Sequence, residues 1–153
     1  MPIGLLPPPS KLSRVPIALL PSPLRILIVD DDRDFTDSLA LLLKRWGHSV
    51  CVAHNGAEAM RLAAAWQPAT AFLDLAMPGM DGLQLAALLR AAPETANVML
   101  IAMTGCASEA VRCRAGELGI TYYLLKPADP VYLRQLLTSR PQPRGQFQPS
   151  VQH

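Results

Sequence analysis

Short apolar runs alternate with longer amphipathic stretches from residue 25 to residue 138. Arg25-Ile26-Leu27-Ile28-Val29 is a continuous aliphatic run, the pattern of a strand covered on both faces. It stops at Asp30-Asp31-Asp32, after which Phe35, Leu39, Leu42, Leu43 and Trp46 recur at helical spacing until Gly47. Residues 49–53 predict a second strand. Asn55 is placed to cap the next helix, with Glu58 three residues on and Ala57, Met60 and Ala64 expected on its inward face. Pro68 closes that helix.

The rhythm then repeats three times. An apolar run through Ala71, Phe72 and Leu73 ends at Asp74, and Met77-Pro78-Gly79-Met80-Asp81-Gly82 follows as a loop. A helix is expected from Leu83 to Arg90 with Leu85, Leu88 and Leu89 inward, stopped by Ala92-Pro93. Residues 97–103 predict a fourth strand ending at Thr104-Gly105, and Ser108 caps a helix running to about Gly119. Residues 121–125 predict a fifth strand, stopped by Lys126-Pro127; Asp129 or Pro130 opens a last helix through Leu133, Leu136 and Leu137. Five strands alternating with five helices define an α/β fold, a doubly wound parallel sheet with helices on both faces.

Residues 1–23 break this pattern. They are apolar but interrupted by Pro7-Pro8-Pro9, Pro16, Pro21 and Pro23, so a disordered or extended leader is expected rather than a signal peptide. The domain is expected over residues 24–139, and residues 140–153 read as a disordered polar tail. No apolar stretch reaches the roughly 20 residues that span a bilayer. A net charge of +2, from 14 basic and 12 acidic residues, gives no basic block for direct nucleic-acid binding. Cys51, Cys106 and Cys113 fit no zinc spacing and read as free thiols of a cytoplasmic protein.

The chemistry lies where the strands end. In an open parallel sheet, ligands bind beyond the carboxyl ends of the strands. Those ends carry Asp30 and Asp31, Asp74, Thr104 and Lys126. Three neighbouring carboxylates repel one another unless a cation joins them, and an all-oxygen set suits Mg²⁺. A hydroxyl and an ammonium beside them match phosphoryl oxygens. The constellation reads as a carboxylate nucleophile that accepts a phosphoryl group with metal help.

Val29-Asp30-Asp31, Leu73-Asp74 with Met77 to Gly82, Thr104-Gly105 and Tyr123-Leu124-Leu125-Lys126-Pro127 together resemble the receiver domain of two-component response regulators, over about residues 25–138. Receivers of hybrid sensor kinases are similar too. The resemblance implies a flavodoxin-like sheet of order 2-1-3-4-5. It implies that Asp74 accepts a phosphoryl group from a phosphohistidine on a histidine kinase or phosphotransfer protein. Asp30, Asp31, Asp74 and the backbone carbonyl of Ala76 would hold Mg²⁺, while Thr104 and Lys126 bond phosphoryl oxygens. Tyr123 matches an aromatic whose inward or outward rotamer reports phosphorylation, and the Lys126-Pro127 bond is expected to be cis. The protein would act as a switch rather than a turnover enzyme, a monomer or weak dimer without an attached output domain, signalling through the surface of the fourth helix, fifth strand and fifth helix. Ala76 and Cys106 flank the expected phosphate without a charge or amide to orient water, so slow to moderate self-dephosphorylation is expected.

Blander assignments cover the remaining residues. Asp32 and Asp34 suit a helix start, Asp81 a cap, and Tyr122 the sheet face opposite Tyr123. Trp46 and Trp66 read as packing at helix ends. Two rivals stand beside the receiver. A haloacid-dehalogenase-like phosphatase also uses a strand-end Asp with Mg²⁺, but Asp30-Asp31-Asp32-Arg33-Asp34 has Asp34 where that family needs Thr or Val, and Asp74 is left without a role. A degenerate receiver binding partners without phosphorylation would not need all five site positions intact.

Overall fold

The computed structural model describes residues 23–105 and 108–138; the expected leader up to residue 22, Cys106 and the tail lie outside the described residues. Five strands, β1 (Arg25–Val29), β2 (Ser49–Ala53), β3 (Thr70–Asp74), β4 (Met99–Thr104) and β5 (Tyr122–Leu125), form one sheet in the order β2-β1-β3-β4-β5. All four pairings are parallel. This is the flavodoxin-like doubly wound order. The helices between them are α1 (Arg33–Arg45), α2 (Gly56–Trp66), α3 (Gly82–Ala91), α4 (Glu109–Glu117) and α5 (Pro130–Thr138). No helix among the described residues is long and apolar enough to cross a membrane.

Side-chain alternation along each strand divides the core into two layers. Ile26, Ile28, Phe72, Ile101, Met103 and Leu124 pack with Leu39 and Leu43 of α1 and Leu133, Leu136 and Leu137 of α5. Leu27, Val29, Leu73, Leu100 and Ala102 pack on the other face with Ala59 and Ala63 of α2, Leu85 and Leu89 of α3, and Ala115 of α4. Tyr122 and Tyr123 fall in opposite layers, as strand alternation requires. Ala115 is the one buried residue of α4, with Val111 and Leu118 only partly covered.

Helix starts follow the predicted caps. Asp32, Asn55, Asp81 and Ser108 each accept a hydrogen bond from the backbone N–H three residues on, and Asp81 forms a capping box with Gln84. Two inward faces differ from expectation. In α2 the buried residues are Gly56, Ala59 and Ala63, while Ala57 and Ala64 are exposed. In α3 Ala86 is buried and Leu88 is 43% exposed. Both helices are rich in alanine, so apolar periodicity marks several overlapping faces and the contact with the sheet selects one.

Arg90, at the end of α3, locks two corners together. Its guanidinium donates to the carbonyls of Ala96 (2.9 Å), Val98 (2.6 Å) and Gly119 (2.7 Å), joining the approach to β4 with that to β5.

Candidate functional site: a carboxylate cluster at the strand ends

The backbone delivers each polar residue to the same rim. Asp30 follows β1 directly, and its amide donates to the Ala53 carbonyl (3.1 Å), carrying the β1–β2 pairing one residue further. Asp74 is the last residue of β3 and Thr104 the last of β4. Lys126 follows β5, its amide bonded to the Thr104 carbonyl at 2.8 Å. The Lys126–Pro127 peptide is cis.

Carboxylate oxygens of Asp30, Asp31 and Asp74 lie within 4.8 Å of one another. Oxygens sharing one Mg²⁺ stand at most roughly 4.2 Å apart, twice a metal–oxygen bond, so a small contraction fits this set to the ion. Asp30 and Asp74 are buried, whereas Asp31 is exposed and opens the cluster to solvent. The Lys126 ammonium bridges the buried pair, 2.5 Å from Asp30 Oδ2 and 3.7 Å from Asp74 Oδ2. Each carboxylate is also held by backbone: the Asp32 amide donates to Asp30 Oδ1 (2.9 Å), and the Ala76 amide to Asp74 Oδ1 (3.0 Å).

Burial holds the Asp74 carboxyl above its ordinary range. The Ala76 amide and the Lys126 ammonium pull it down, and the Asp30 carboxylate pushes it up. An Asp74 anion is therefore costly here, and a cation among the three carboxylates offsets that cost.

The predicted residues thus converge, with two differences in depth. Thr104 is buried at the rim and tied to Lys126 through backbone. Tyr123 lies in the sheet core rather than in the cluster, buried, with the Arg112 guanidinium 6.0 Å from its ring centre. Asp32 caps α1, and Asp34 is exposed in the first turn of α1, outside the cluster, which leaves no Asp-x-Asp pair for the phosphatase alternative.

Three contacts were not legible beforehand. The Phe35 ring lies 4.4 Å from Lys126 Nζ, although its helical spacing marks it only as core. His54 Nδ1 sits 3.0 Å from the Asp30 carbonyl, which can only accept, so the proton is on Nδ1. Gly82 passes so close beneath β3 that a Cβ there would overlap the Asp74 carbonyl oxygen.

A flavodoxin-like sheet with an acidic cluster and a lysine at its carboxyl rim defines a doubly wound α/β domain with a candidate cation site, and comparison narrows the class. The response regulator receiver domain family matches residues 26–138, and the chain belongs to that family. It is 40% identical over 112 residues to an uncharacterised 14.6 kDa protein of Leptolyngbya boryana, covering 73% of this chain and 86% of that one. It is 38% identical over 105 residues to the response regulator MprA of Mycobacterium avium, covering 68% of this chain but 45% of the relative. The chain therefore spans about half the length of that relative. A response regulator from Burkholderia pseudomallei, solved with a phosphorylated aspartic acid, calcium ion and citrate, superposes with a TM-score of 0.68 at 33% identity over 75% of this chain and 66% of that one.

Proposed function

We propose that the protein is a phosphorylation-dependent signalling switch in which Asp74 accepts a phosphoryl group from a phosphohistidine. The observation that carries this reading is the Lys126 ammonium placed astride Asp30 and Asp74 beside a third carboxylate. The phosphorylated aspartic acid and calcium ion of the Burkholderia pseudomallei relative support it.

An Asp74 carboxylate oxygen attacks phosphorus in line. The phosphorus–nitrogen bond of the donor breaks, and its electron pair stays with the leaving imidazole, which takes up a proton. Little covalent work falls to the protein beyond positioning and charge stabilisation. Asp30, Asp31, Asp74 and the Ala76 carbonyl would hold the cation, and Mg²⁺ bound there would neutralise phosphoryl charge. Lys126 neutralises a further phosphoryl oxygen, and the Thr104 hydroxyl bonds another. The Lys126 amide bonds the Thr104 carbonyl, which keeps the two residues side by side at the rim. Tyr123, buried here, follows Thr104, and the α4–β5–α5 surface shifts between two pre-existing arrangements. A histidine kinase or phosphotransfer protein of the cytoplasm is the donor, and a protein recognising that surface is the recipient.

The test is labelling with acetyl phosphate and Mg²⁺, read by intact mass. Wild type gains one phosphoryl group and Asp74→Asn gains none. Equal labelling of Asp74→Asn would remove Asp74 from the role.

A further inference from the structure

We propose that Phe35 is a positioning residue for phosphoryl transfer, holding the Lys126 ammonium over the carboxylates by a cation–π contact. This rests on the phosphoacceptor reading of Asp74.

Four contacts close a ring through the site. The Asp30 carboxylate receives the Asp32 amide at 2.9 Å. The Asp32 carboxylate, capping α1, receives the Phe35 amide at 3.2 Å. The Phe35 ring then faces Lys126 Nζ at 4.4 Å, and Nζ returns to Asp30 Oδ2. The acidic turn that gathers the metal-binding carboxylates therefore also sets where the ring stands. At 4.4 Å the ammonium is well inside the roughly 6 Å within which a ring face attracts a cation.

The ring does something the carboxylates cannot. Lys126 has a flexible four-carbon stem, and 22% of its side chain is exposed. Its ionic partners are the same oxygens that a cation and a phosphoryl group engage. When those oxygens are taken up, the Asp30 contact weakens, whereas the ring neither ionises nor accepts a metal. Phe35 is thus the contact that stays the same through the reaction, and it keeps the ammonium from swinging into solvent on the α1 side. An aliphatic residue would cover the stem but would not attract the charge.

The experiment uses the full chain with mono-, di- and trifluorinated phenylalanine at position 35, which drains the ring face of negative charge while barely changing its shape. The rate of Asp74 phosphorylation at saturating acetyl phosphate and Mg²⁺ is expected to fall stepwise. Phe35→Leu should lose about fivefold, which at 1.36 kcal/mol per tenfold is about 1 kcal/mol. Phe35→Trp should keep the wild-type rate. A second readout needs no activity: in the metal-free protein the Lys126 ε-methylene protons should show an upfield ring-current shift that disappears in Phe35→Leu. Normal labelling of Asp74 with a flat fluorine series would overturn the role of Phe35 and leave the switch intact. An absent ring-current shift overturns the contact itself. If wild-type Asp74 takes no label, the phosphoacceptor reading falls and the positioning role falls with it.

Discussion

Gly82 begins α3 directly beneath Asp74, and a side chain on it would overlap the Asp74 carbonyl oxygen and Leu75. The loop from Met77 to Gly82 is therefore more than a connector: it brings a helix start against the backbone that carries Asp74. Gly82→Ala must push β3 and α3 apart. A loss of about 1–3 kcal/mol, the usual cost of overpacking, is expected in urea unfolding. Phosphorylation should slow as well, because Asp74 moves with its backbone. A variant of wild-type stability would show that the two elements separate freely.

Asp74→Asn should stabilise the metal-free protein near neutral pH. Burial raises the folded-state carboxyl, so its stabilising contribution is present below the ordinary carboxylate range and is lost as pH rises through the raised folded value. Asparagine removes the buried charge and keeps an oxygen for the Ala76 amide. A gain in stability is expected at neutral pH and should shrink in acid, where the wild-type carboxyl is protonated and the buried charge is absent in both proteins. Equal stability at both pH values would refute it.

The cation should reverse that order. At about 100 times its dissociation constant, Mg²⁺ is expected to add about 2.7 kcal/mol to wild-type stability. Asp31→Asn should lose most of this gain while leaving metal-free stability nearly unchanged, because Asp31 is exposed. Chelation should return the wild type to its starting midpoint. Full Mg²⁺ stabilisation of Asp31→Asn would exclude it as a ligand.

A second pH response lies far from the site. His48 is buried, and its Nδ1 accepts from the Leu24 amide at 3.0 Å, which fixes the entry to β1. Burial, then the nearby Arg134 charge, holds its pKa below the ordinary 6.5. The unfolded ring binds a proton more readily than the folded one. Its contribution is therefore complete above the unfolded value and declines as pH falls through that value toward the folded one. His48→Asn keeps an acceptor but cannot titrate, so stability should be flatter between about pH 7 and 5 than in wild type. Parallel curves would rule out His48 as the source.

Self-dephosphorylation should be slow to moderate. Ala76, exposed two residues past Asp74, has no side-chain group to orient a hydrolytic water. Radiolabel retention by the isolated protein should decay slowly to moderately, and a half-life of seconds would contradict this.

Asp30, Asp74, Thr104 and Lys126 were readable in advance for one reason: each stops a short apolar run, and parallel strands bring such stops to one rim. Helix caps were equally local, so Asp32, Asn55, Asp81 and Ser108 stand where their spacing put them. What escaped depended on contacts between distant segments. Phe35 meets Lys126, and Arg90 grips the Gly119 carbonyl, across separations that periodicity does not encode. Leu88 was misplaced because in a helix of leucines and alanines the sheet, rather than the pattern, chooses which side turns inward. The family resemblance supplied the strand order, which local patterning alone left open.

The shallow seating of α4 has a consequence for how this molecule can diversify. A helix anchored by one buried alanine gives up little free energy when its exposed residues change or its angle shifts. Its amides should exchange with solvent sooner than those of β3 and of Ile26 to Val29 in β1, which are buried. The outer face of α4 can therefore change in sequence while the carboxylates and Lys126, held by the enclosed strands, stay as they are.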